Sequence, residues 1–183
     1  MLNIRRSPRP LKMTGAASGP SLASPQVVTT GTVDISTSPA SALVTFSNMA
    51  PGDSVTNGIT VTNAGSLALR YAITSTTTEN TLAAQLDMTI WDEAAEADAG
   101  TTCNATAPAT VLYGPADLGS TTGVNVVGSP TQGAQAGDRP LAAAGNEVLC
   151  FRVALPLATG NAYQALTTTA TFAFQAEQTA NNP

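Results

Sequence analysis

The stretch PGDSVTNGITVTNAGSLALRYAI, Pro51 to Ile73, decides the fold class. Pro51-Gly52-Asp53 is turn chemistry: proline presets φ, glycine tolerates positive φ, and aspartate bonds its own backbone. Val55, Ile59 and Val61 then fall on odd positions, with Thr56, Thr60 and Thr62 between them. Asn63-Ala64-Gly65 interrupts the run, and the alternation resumes with Leu67, Leu69, Tyr71 and Ile73. Two such runs joined by a short Asn/Gly turn predict an antiparallel hairpin with one apolar face. A period of two obliges that face to be covered, most simply by a second sheet. The expected fold is therefore all-β, an antiparallel two-sheet sandwich.

Composition agrees. Of 183 residues only 10% are charged and 4% aromatic, and threonine, serine and asparagine carry the polarity instead. Threonine is β-branched and suits strands. A weakly charged surface repels its own copies little, which suits a protein that packs against itself. Arg5, Arg6, Arg9 and Lys12 hold four of the seven basic residues, so from residue 13 onward 3 basic face 12 acidic residues, a balance of −9. An acidic body argues against nucleic acid as a partner. No apolar run approaches the roughly 20 residues of a membrane span. The basic start is not followed by the roughly 7–15 apolar residues of a secretory signal, so the expectation is a misplaced start codon, with unusual export as the alternative.

Further along, residues 1–26 form a Pro/Ser/Gly/Ala-rich flexible leader, residues 27–178 the sandwich domain, and residues 179–183 a polar tail. Val27 and Val28 begin a short β-prone piece, Gly31 to Ile35 is a first body strand, and Ala42 to Ser47 a second. Asn80 to Gln85 is expected to make one helical turn, and Leu86, Met88 and Ile90 a half-buried strand alternating with Asp87, Thr89 and Trp91. Trp91 reads as part of a packed edge. Asp92, Glu93, Glu96 and Asp98 read as a solvated acidic loop; calcium, which takes oxygen ligands, is the alternative, but the spacing matches no loop motif. Asn104-Ala105-Thr106 is a glycosylation sequon of little weight in a threonine-rich chain.

Residues 110–113 are a candidate short strand, and Gly114 to Gly145 read as long connections with little core. Leu149, Phe151, Val153 and Leu155 share odd parity in a clear strand, so Cys150 and Arg152 face the other way. Leu166, Ala170, Phe172 and Phe174 form the last inward row. The two cysteines, Cys103 and Cys150, are expected to form one disulfide on the outer sheet face; two free thiols are the alternative.

No histidine occurs in the chain. That removes a Ser-His-Asp triad, a Cys-His pair and an HExxH zinc site. No Gly-x-Ser-x-Gly elbow or phosphate loop appears, and adjacent carboxylates such as Asp92 and Glu93 point apart. The expectation is a non-enzyme without cofactor or bound metal.

Pro51-Gly52-Asp53, the ITVTN strand, and Gly65-Ser66-Leu67 leading to Tyr71 together resemble the signature of the TasA/camelysin family, as does Gly31-Thr32-Val33-Asp34-Ile35 upstream. The closing segment, Leu149 to Val153 and on through Gly160-Asn161-Ala162-Tyr163-Gln164 to Asn182, is similar to a cysteine-containing branch of it. The resemblance implies a jelly-roll sandwich, secreted through a dedicated signal peptidase to the extracellular matrix or cell surface. It further implies assembly into biofilm fibres, in which the N-terminal segment of one subunit adds a strand to its neighbour. The expected partner is thus the chain itself, in a head-to-tail homopolymer, with other matrix components able to join. Val27 and Val28 are the candidate donor-strand residues. A monomeric surface adhesin on the same sandwich, or a camelysin-like metallopeptidase, is the alternative.

Overall fold

A computed structural model describes residues 30–40, 49–96, 103–104 and 107–182. The anticipated strand at Ala42 to Ser47, the donor residues Val27 and Val28, and Asp98 lie outside the described residues. The body runs from Gly31 onward. Among the described residues it holds nine strands: β1 (Ile35–Ser38), β2 (Ser54–Asn63), β3 (Leu69–Thr77), β4 (Asp87–Asp92), β5 (Tyr113–Asp117), β6 (Val124–Val127), β7 (Arg139–Leu141), β8 (Asn146–Ala154) and β9 (Ala170–Gln178).

These strands make two antiparallel sheets. The first has the order β1-β2-β8-β4-β5. In the second, β3 is central and pairs along its whole length with β9. A strand has only two edges, so β6, against Ile73–Ser75, and β7, against Leu69–Tyr71, share the other one end to end. The two-sheet sandwich expected from the alternation is the fold.

The alternating rows do what their period requires. Ile59 and Val61 of β2, Leu69, Tyr71 and Ile73 of β3, Met88 and Ile90 of β4, and Leu149, Phe151 and Val153 of β8 are all buried. Fully burying a side chain of this size contributes about 1.5–3 kcal/mol. Phe172 of β9 lies 5.1 Å, ring centroid to ring centroid, from Phe151 of β8, which joins the two sheets through their aromatic rows.

The predicted hairpin is not formed. β2 pairs with β1 and β8, β3 pairs with β6, β7 and β9, and the chain from Asn63 to Leu69 crosses from one sheet to the other. Asn63 explains the crossing. Its side chain is fully buried. Nδ2 donates to the Leu67, Ala142 and Leu141 carbonyls at 2.8, 3.0 and 3.3 Å, while Oδ1 accepts from Gly65 N at 2.9 Å. Backbone groups that a hairpin would pair internally are satisfied instead by a corner built around one amide. Gly65 is required there, because a Cβ would lie 2.4 Å from Thr32 O in the strap that crosses the corner.

Other expectations shift too. The first body strand begins at Ile35, where it was expected to end, because residues 31–34 serve as that strap, with Ala64 N and Ser66 N donating to Asp34 O and Thr32 O. The turn after β3 exists, closed by Ala84 N and Leu86 N donating to Asn80 O and Leu82 O. Glu79 supplies its start by accepting from Thr81, Leu82 and Ala83 N–H. The strand expected at 110–113 begins only at Tyr113. Residues 114–145 are not peripheral: they carry most of β5 and all of β6 and β7, and bring Leu118, Val126, Val127 and Leu141 into the core. Leu166, expected to point inward, is 40% exposed.

Candidate functional site

Three places in the body hold more than packing. The first is the outer face of the five-stranded sheet. β8 alternation puts Phe151 toward the opposite sheet and Cys150 away from it, and Cys150 forms a disulfide with Cys103 with a Cα–Cα separation of 5.5 Å. Cys150 pairs in register with Gly58 of β2 on one side and Trp91 of β4 on the other. The outer face is nevertheless not exposed: Cys150, Trp91 and Thr89 are buried.

The cover is the segment expected to be a solvated acidic loop. Glu93 and Glu96 are both buried. Asp92 caps a single 3₁₀ turn, Glu93–Ala95, by accepting from Ala94 N. That turn aims Glu96 back at the sheet, where its Oε1 accepts from Trp91 Nε1 at 2.6 Å and from Asn104 N at 3.0 Å. Its Oε2 accepts from Asn104 Nδ2 at 2.7 Å, and Cys150 Sγ lies 3.5 Å from Oε1. A buried carboxylate is tolerable only with such donors. The sequon amide is thereby engaged within the fold, and Trp91 sits on an interior strand flanked by β8 and β5, not at an edge.

The second place is an ion cluster that ties the sheets together. Arg139 Nη2 of β7 donates to Asp92 Oδ2 at 2.5 Å and to Glu147 Oε2 of β8, and Tyr71 OH of β3 donates to Glu147 Oε1 at 2.8 Å. Burial pushes the Tyr71 hydroxyl well above its ordinary pKa, and the Glu147 charge adds to it. Burial works against the Arg139 charge, but Glu147 and Asp92 outweigh it and raise its pKa. Both groups therefore keep the protons they donate across the two sheets.

The third place is the sheet perimeter. β1 has four residues and runs into Pro39, β5 contains Pro115, and β7 contains Pro140. Proline and short length blunt an edge against further pairing. β9 is different: nine residues, no proline, and no charge before Glu177. Among the described residues no strand pairs with its outer edge. Its inward residues Ala170, Phe172 and Phe174 are only half-buried, whereas the matching rows of β3 and β8 are buried. The far end of β9 is held by Arg70, whose Nε donates to Glu177 Oε1 at 2.6 Å and Nη2 to Asn182 O at 2.5 Å.

The family model of camelysin metallo-endopeptidase matches residues 21–98. The match takes in Val27 and Val28 and the strands β1 to β4, and supports the camelysin/TasA resemblance at the level of the family. No curated protein is matched by the chain. The family's description implies a metal. The chain has no histidine. Among the described residues, Glu96, Cys103 and Cys150 bring ligand atoms within 4.8 Å of one another. Their sulfurs are bonded to each other and the carboxylate is engaged by Trp91 and Asn104. In this form the three do not fit a catalytic metal, which needs free donors and an open position.

Proposed function

From a chain whose residues 21–98 match the camelysin family, we propose a secreted structural subunit of extracellular matrix fibres, which polymerises when the segment bearing Val27 and Val28 adds a strand to a neighbouring copy. The resemblance supplies the jelly-roll winding, the export and the biofilm setting of this reading. The observation that carries the assembly step is the β9 edge, with backbone groups that no strand among the described residues pairs and half-covered phenylalanines on the same strand. An added strand satisfies the first by hydrogen bonding and the second with its own apolar side chains. Donor and acceptor lie in different parts of the chain, so the contact is head-to-tail and yields a filament when its rotation does not close. On this reading the protein is not an enzyme.

Electron microscopy and sedimentation of two chains test it. The full chain is expected to form filaments, and a variant starting at Gly31 to fold and remain monomeric. Filaments from the shortened chain would overturn strand donation. A monomeric full chain would favour a surface adhesin on the same fold.

A further inference from the structure

We infer that two-electron reduction of the Cys103–Cys150 disulfide opens a site for a thiophilic divalent cation, held by both sulfurs and a Glu96 carboxylate oxygen. The three ligand atoms already lie within 4.8 Å of one another, a span that a tetrahedral ion with metal–sulfur bonds of about 2.3 Å can bridge. Thiolates with one carboxylate favour zinc-like ions over calcium or magnesium.

Four features prepare the place. Glu96 is buried and oriented by Trp91 Nε1 and the Asn104 amide, the kind of outer hydrogen bonding that fixes a metal-ligating carboxylate. Cys150 sits on a paired interior strand, so its Sγ is fixed by the sheet, while Cys103 belongs to a connection and is half-buried, which lets one sulfur move relative to the other. The missing side chain of Gly58 lets Cys103 Sγ lie close against β2, where a Cβ would stand 2.9 Å from it. Arg152 lies two residues along the same strand face, roughly 7 Å away by strand rise, and its buried Nε has no hydrogen-bond partner among the described residues. A guanidinium on the same strand face as the two thiols favours their thiolate forms and offsets part of the net negative charge of two thiolates and a carboxylate around a divalent ion.

The chemistry balances. A dithiol reductant delivers two electrons and two protons, the Cys103–Cys150 bond breaks to two thiols, and the reductant becomes its own cyclic disulfide. The cation then displaces one proton from each thiol. The ion and the disulfide exclude each other, so the bound ion protects the pair from reoxidation until it leaves. This site is separate from the β9 edge and does not depend on fibre assembly.

The test uses the full chain, reduced with a dithiol, freed of reductant without oxygen, and titrated with cobalt(II). Expected is a thiolate-to-cobalt charge-transfer band saturating at one ion per chain, lost on adding zinc, with quenching of Trp91, the chain's single tryptophan. The disulfide form and Cys103→Ser should lack the band. Glu96→Gln should weaken cobalt binding by about tenfold or more while the far-ultraviolet sheet signal is retained, and Glu96→Asp should bind between the two. The inference is overturned by absence of the band, by equal affinity in Glu96→Gln, or by binding that appears only once the sheet signal is lost.

Discussion

A Cβ placed on Gly58 would lie 2.9 Å from Cys103 Sγ, so the glycine on β2 and the cysteine in the covering segment occupy one another's space. Glycine in a strand interior normally weakens it. Here it marks the close approach of the disulfide to the sheet.

Gly58→Ala should therefore destabilise the oxidised protein by about 1–3 kcal/mol, the usual range for overpacking a tight site. Urea unfolding of the single and double variants with Cys103→Ser checks the cause. The two should couple by about 1 kcal/mol or more, because removing the disulfide frees the space. Additive effects would show that the glycine answers to something else.

The corner at Asn63 gives a second expectation. Asn63→Ala leaves the carbonyls of Leu67, Leu141 and Ala142 without this donor and should cost about 2–3 kcal/mol. Hydrogen exchange should rise first at the Gly65 amide, which donates to Asn63 Oδ1. A variant as stable as the parent would sink the corner argument.

Acid should loosen the end of β9. Arg70, aided by Asn182 and the Gly133 N–H, holds the Glu177 carboxyl below its ordinary pKa. A carboxyl depressed on folding adds stability that is complete above its unfolded value, about 4.3, and is lost as pH falls through the folded value. The gap in urea midpoint between the parent and Glu177→Gln should be constant from about pH 7 to 5 and shrink below about pH 4. A gap that widens on acidification contradicts the assignment.

Reduction of the disulfide, measured without added metal, should lower stability by about 4 kcal/mol at most, from the loop-closure entropy of a sequence separation of 47. Far-ultraviolet circular dichroism should keep its sheet signal at 25 °C, because Cys150 lies outside the inter-sheet core. Collapse of that signal on reduction would place the disulfide among the determinants of the fold.

The alternating sequence of β2, β3, β4 and β8 by itself determined which side chains enter the core. A strand's side chains point to opposite faces in turn, and that rule needs no knowledge of neighbours. Odd parity from Val55 to Ile73 and from Leu149 to Leu155 was readable for this reason, and with it the outward direction of Cys150. Parity carries no information about which strand lies alongside. Whether β2 pairs with β3 or crosses to the other sheet turned on the buried amide of Asn63, whose acceptors at Leu141 and Ala142 are distant in sequence. β6 and β7 are hard to read among Gly, Pro and Ala because each is short; Val124, Val126 and Val127 are the local signal of β6, and the three residues of β7 carry no alternation. Glu96 was misread for the same reason as the hairpin. A carboxylate in an Ala/Gly-rich acidic run is solvated by default, and only the Trp91 and Asn104 donors gathered around it by the folded chain make its burial affordable.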